Sequence, residues 1–148
     1  MKIRAQVFEQ DDGLRELLKR FLAGEGHDVV AYRDSTSCPL YNNFGNDQCC
    51  CSNTHPCADA VLLDIGMLNV NALDFLKDQR RRGCKVPDAN KAVVSTHLNE
   101  ALAAATKEFG CHHIRKPYRL TEIRQWINEC ATRLPARQQP FSEHSDQR

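Results

Sequence analysis

No stretch of this 148-residue chain comes near the roughly 20 consecutive apolar residues of a membrane-spanning helix, which excludes that class of protein on length alone. The opening Met1-Lys2-Ile3-Arg4 has none of the apolar run of a secretion signal, so the expectation is a cytoplasmic protein without membrane contact. Charge of one sign is not in excess either: 20 Lys and Arg face 19 Asp and Glu. No basic stripe exceeds Arg80-Arg81-Arg82, and a surface of that kind carries no electrostatic footprint for nucleic acid. Also missing is a Ser-, Thr- or Gly-rich loop after the first strand, which argues against a flavin-phosphate electron carrier. Residues 135–148 are polar and too few for an output domain, and read as a disordered tail.

The chain has the length for one domain with a substantial core. Lys2 to Phe8 alternates Ile3, Ala5 and Val7 with polar neighbours, which predicts a strand, and Glu9-Gln10-Asp11-Asp12 makes an acidic turn at its end. Leu14, Leu17, Leu18, Phe21 and Leu22 then recur at helical spacing until Gly24 and Gly26 stop the helix. Val29 to Tyr32 predicts a second strand. The continuous apolar run Ala60-Val61-Leu62-Leu63 predicts a strand covered on both faces, ending at Asp64. Leu73, Phe75 and Leu76 belong to a helix that ends near Gly83, and Ala92-Val93-Val94 forms a buried strand ending in Ser95-Thr96. Leu98 to Phe109 predicts another helix, His112 to Arg115 the last strand, and Thr121 caps a final helix with Ile123, Trp126, Ile127 and Cys130 on one face. Strands alternating with helices imply a parallel sheet with helices on both faces, whose functional residues gather beyond the carboxyl ends of the strands. Glu9, Asp64, Ser95 and Lys116 all fall there.

Four segments then carry a specific resemblance: Val7-Phe8-Glu9-Gln10-Asp11-Asp12 with Leu14-Arg15, Leu62-Leu63-Asp64-Ile65-Gly66-Met67, Val93-Val94-Ser95, and Lys116-Pro117-Tyr118. In that order and at those intervals, over residues 2–134, the chain resembles the receiver domain of bacterial two-component response regulators. The resemblance implies a flavodoxin-like, doubly wound, five-stranded parallel sheet with helices on both faces. It implies that Asp64 accepts a phosphoryl group, and that Glu9, the Asp64 side chain and the Gly66 carbonyl hold Mg²⁺. Lys116 then contacts the phosphoryl oxygens, the Lys116–Pro117 bond is cis, and Ser95 and His113 form the switch. It further implies a histidine kinase or phosphotransfer protein as donor, with output through a downstream effector protein or a homodimer.

The chain also departs from the family pattern. Gln10 stands where a second acid is usual and offers only a neutral oxygen, which should weaken Mg²⁺ binding, and Asp11 compensates if the loop shifts by one residue. Leu68 and Ala72 replace a proline and a glycine after Asp64. In place of a second helix lies a cysteine-rich insert, residues 35–58, with Cys38, Cys49, Cys50, Cys51, Cys57 and His55. Such thiols could bind Zn²⁺ or an iron–sulfur cluster, could be redox-active or disulfide-linked, or could be merely buried or free. A single metal would take Cys38, Cys49, Cys51 and Cys57. These features leave open an alternative, a degenerate receiver that senses metal or redox state through its cysteines. Cys111 and Cys130 read as small core residues.

Overall fold

The computed structural model describes residues 2–33, 57–65, 72–96 and 100–134. In chain order these form β1 (Arg4–Phe8), α1 (Asp12–Gly24), β2 (Asp28–Tyr32), β3 (Ala60–Asp64), α2 (Ala72–Arg81), β4 (Lys91–Ser95), α3 (Glu100–Phe109), β5 (His112–Arg115) and α4 (Leu120–Thr132). The strands make one parallel sheet in the order β2-β1-β3-β4-β5, the flavodoxin-like order.

Every residue of β3 and β4 is buried, and so are four of the five in β1, because both sheet faces are covered. Successive side chains point to opposite faces, so each apolar pair along a strand divides between two cores. Val7, Leu62 and Val94 join Leu18 and Leu22 of α1 and Ile123, Trp126 and Ile127 of α4. Their neighbours Phe8, Leu63 and Val93 join Phe75 and Leu76 of α2 and Leu102 and Phe109 of α3. Helices α1 and α4 therefore cover one face, and α2 and α3 the other. The direction of winding reverses between β1 and β3, which opens a crevice at their carboxyl ends.

Several boundaries differ from expectation. β1 begins at Arg4, whose N–H donates to the Asp59 carboxylate at 2.8 Å, while the Ile3 carbonyl accepts from Asp28. Leu17 lies on the predicted apolar stripe of α1, yet it is 47% exposed. The last helix is capped by Arg119 in place of Thr121. Arg119 has extended backbone, and the Glu122 carboxylate accepts its N–H at 2.9 Å, leaving Thr121 exposed in the first turn. Gly26, Gly83 and Gly110 each have positive φ at the end of a helix, the role glycine fills most readily. Cys130 is fully buried as expected, and Cys111 is partly buried; burial pushes the Cys111 thiol up to about 11 and the Cys130 thiol up to about 12. The insert and tail lie outside the described residues, apart from Cys57, which is exposed, and the buried Ala58. No helix among the described residues is long and apolar enough to cross a membrane.

Candidate functional site

Glu9 follows the last residue of β1, and Asp64 is the last residue of β3, so the crevice at the winding reversal receives two carboxylates. Both are buried, at 2% and 4% exposure. The Glu9 N–H donates to the Tyr32 carbonyl at 2.9 Å, and the Glu9 carbonyl accepts from the Arg15 guanidinium at 3.0 Å. Arg15 also reaches Asp12 at 2.6 Å, which ties the first turn of α1 to the acidic turn. The sequence reading assigned Arg15 no such role; its spacing of three from Asp12 is the signal that was available.

From the other side comes Lys116. Its N–H donates to the Ser95 carbonyl at 2.8 Å, which extends the pairing of β4 and β5 by one step past the last strand residue. The Lys116–Pro117 bond is cis. The ammonium then lies 3.4 Å from Asp64 Oδ1 and 3.3 Å from Glu9 Oε1. One lysine thus bridges two acids that also hydrogen-bond one another. Burial, followed by that bond to Asp64, pushes the Glu9 carboxyl up to about 7, against the lowering effects of the Asp11 N–H and Lys116.

Ser95 ends β4 at the same rim and is buried, and its hydroxyl lies 2.7 Å from His113 Nε2 on β5. Burial, and after it the neighbouring His112 and Arg115, lowers the His113 pKa below the ordinary imidazole value. Glu9, Asp64, Ser95, His113 and Lys116 are therefore brought together at one end of the sheet. Gln10 is half-buried beside them. Asp11 is turned elsewhere: its Oδ2 accepts the Leu14 N–H at 2.7 Å as the N-cap of α1, and only its own N–H reaches Glu9, at 3.1 Å. Gly66, Cys38, Cys49 and Cys51 lie outside the described residues. Among the described residues no three His, Cys, Asp or Glu side chains are arranged to hold a metal ion.

Beside Lys116 lies a largely apolar cavity of about 410 Å³, with Leu14 and Leu17 of α1 on one side and Pro117, Tyr118 and Leu120 on the other. This explains the exposure of Leu17, which sequence periodicity alone assigns to the core. Burial and the Glu9 and Asp64 charges push the Tyr118 hydroxyl pKa up.

By sequence, no family model and no curated relative matches the chain. By structure it is similar to receivers. It superposes on the Francisella response regulator 1452 receiver domain with a TM-score of 0.70 at 17% identity, covering 88% of this chain and 98% of that one. A two-component response regulator from Clostridium difficile gives 0.65 at 14% identity, covering 88% and 96%. The Vibrio cholerae chemotaxis protein CheY4 gives 0.67 at 13% identity, covering 88% and 99%. The chain has the receiver-domain fold.

Proposed function

We propose that this protein is a phosphorylation-dependent signalling switch of a two-component or phosphorelay system, with Asp64 as phosphoacceptor. The observation that carries the reading is the Lys116 ammonium lying between two buried carboxylates, 3.4 Å from Asp64 and 3.3 Å from Glu9, at the winding reversal of the sheet. An Asp64 oxygen attacks the phosphorus of a phosphohistidine on a kinase or phosphotransfer partner. The O–P bond forms as the P–N bond breaks, and the electron pair stays on the imidazole nitrogen, which picks up a proton from solvent. Lys116 then exchanges its contact with the Asp64 carboxylate for the phosphoryl oxygens, and Ser95 donates its hydroxyl to one of them. Attack by water on the phosphorus later regenerates the carboxylate and releases phosphate, so any enzymatic activity is confined to the protein's own phosphoaspartate.

The donor set fits Mg²⁺, which typically uses one or two carboxylates and fills its remaining positions with water and phosphoryl oxygens. Glu9 and Asp64 would supply the two acids and Gln10 a neutral oxygen, with the Gly66 carbonyl added by the receiver resemblance, and Asp11 steadies Glu9 through its N–H. When bound, the ion neutralises charge on the phosphoryl oxygens. The cavity between Leu17 and Leu120 suits the apolar face of a donor helix, and output passes by protein contact, in the cytoplasm, to an effector or a second copy.

Incubation with Mg²⁺ and acetyl phosphate, followed by intact-mass analysis, tests the assignment. Wild type should gain one phosphoryl group and Asp64→Asn none, and Lys116→Met should be labelled about a hundredfold more slowly, the scale of losing one charge-stabilising donor. Equal labelling of wild type and Asp64→Asn, or labelling of neither, would refute it.

A further inference from the structure

Strands β4 and β5 pair Val93 with His113 and Ser95 with Arg115, so Ser95 sits two positions beyond His113 toward the carboxylate cluster. The two side chains nevertheless meet, Ser95 Oγ lying 2.7 Å from His113 Nε2. Ser95 is 2% exposed beside the Asp64 end of the sheet, whereas His113 is only half-buried, on the edge strand β5. One hydrogen bond therefore joins the candidate phosphoacceptor rim to a partly exposed imidazole.

A hydroxyl facing an imidazole nitrogen has two arrangements. A neutral ring carrying its proton on Nδ1 accepts at Nε2, which commits the one hydrogen of the hydroxyl to the ring. An imidazolium donates from Nε2 instead, so the hydroxyl becomes an acceptor and its hydrogen is released to another partner. We infer that His113 is a proton-controlled positioning residue for Ser95: neutral, it holds the hydroxyl hydrogen, and protonated, it frees that hydrogen to bond a phosphoryl oxygen on Asp64. This rests on the phosphoacceptor reading of Asp64. It makes phosphorylation and proton uptake at His113 mutually favourable, because coupling between two bound groups is reciprocal.

The charges around His113 set the direction. On its own strand His112 and Arg115 oppose protonation, as burial does. β4 contributes Ser95 itself, with Glu9, Asp64 and Lys116 beyond it, while Glu122 and Glu129 of α4 lie on the opposite sheet face, the one to which His112 points. The charged side chains of α3, Glu100, Lys107 and Glu108, are exposed. Phosphorylation turns the singly charged Asp64 carboxylate into an acyl phosphate of about −1.5 to −2, a net gain of up to about one negative charge on the far side of Ser95, which favours the imidazolium.

Ring-nitrogen NMR of the whole protein tests the arrangement directly. In the free protein the neutral His113 ring should carry its proton on Nδ1; a proton on Nε2 overturns the inference. With Mg²⁺, adding beryllofluoride, a mimic of the phosphoryl group, should raise the His113 pKa by about one unit, a tenfold shift in its protonation ratio. Ser95→Ala should remove most of that rise, leaving only the through-space effect of the added charge, and a rise of wild-type size in Ser95→Ala overturns the inference. In parallel, the ratio of beryllofluoride affinities between wild type and His113→Phe should increase about tenfold from about pH 8.5 to about pH 5.5, a ratio in which the pH dependence of the probe itself cancels. If beryllofluoride leaves wild type as unperturbed as Asp64→Asn, the phosphoacceptor reading fails and the inference falls with it. If it binds wild type but moves neither the His113 pKa nor the affinity ratio, the proton link alone is wrong.

Discussion

Two buried carboxylates in hydrogen-bond contact, Glu9 and Asp64, form an arrangement that folding alone disfavours. Glu9 ionises at about 7 in the fold against an ordinary 4.5. Below about pH 4.5 it is protonated in both folded and unfolded chains and contributes nothing. Between those values the unfolded chain has released its proton while the folded one still holds it, so stability falls as pH rises. Above about pH 7 the penalty is constant at about 3 kcal/mol for a shift of this size. Urea denaturation of metal-free protein at about pH 5 and about pH 8 measures it: part of the penalty is already present at the lower pH, so wild type should lose about 2.5 kcal/mol more than Glu9→Gln across that interval. Equal losses in the two proteins would show that the Glu9 carboxylate is not under strain. Millimolar Mg²⁺ should recover part of the difference at the higher pH, since a ligand that binds only the folded chain stabilises it.

At the scale of elements, the sequence was most informative where one rule acts alone. The apolar run before Asp64 gave a doubly covered strand, and the alternation before Glu9 gave β1, because side-chain direction has period two whatever the tertiary context. Helix starts were harder to read, since several polar residues near a boundary can cap it. Thr121 has the preferred chemistry for a cap, yet Glu122 reaches back to Arg119 and places the cap two residues earlier. At α1 the acidic turn offered Asp11 as a shifted metal ligand, whereas its carboxylate closes the helix by accepting the Leu14 N–H at 2.7 Å. The two roles separate by mutation. Asp11→Ala should cost about 1 kcal/mol in urea denaturation and Asp11→Asn almost nothing, because asparagine caps as well as aspartate does. Both should bind Mg²⁺ with wild-type affinity, measured by tryptophan fluorescence or calorimetry; a large affinity loss in Asp11→Asn would return Asp11 to the metal.

For the whole molecule, the two ends of the sheet carry different burdens. The strand order was not legible from periodicity, which is local. It came from the ordered motifs, whose resemblance to receivers placed Asp64, Glu9 and Lys116 at one rim, and the coordinates bring those three together. Ser95 and His113 could be named singly, but their bond depends on the register of β4 against β5, which no single strand encodes. The opposite rim was not legible at all. Fully buried Asn90 donates there to the carbonyls of Asp59, at 3.0 Å, and Cys130, at 3.2 Å, and accepts from Arg133 at 2.7 Å. It thereby joins the start of β3 to the end of α4, while Asp59 also pairs with Arg4 at 3.0 Å. A lone asparagine before a strand gives no sign of this, since its partners lie 31, 40 and 43 residues away. Asn90→Ala would take the side-chain donor from the Asp59 carbonyl and one of two donors from the Cys130 carbonyl, which keeps the Arg133 N–H, while Arg133 keeps the Ala89 carbonyl; it should cost about 1–3 kcal/mol in urea denaturation. The rims stand about 15 Å apart along five-residue strands, so labelling by acetyl phosphate under native conditions should proceed at the wild-type rate. A slowing comparable to that of Lys116→Met would mean that the two rims are mechanically coupled and that the far rim does more than hold the sheet to α4.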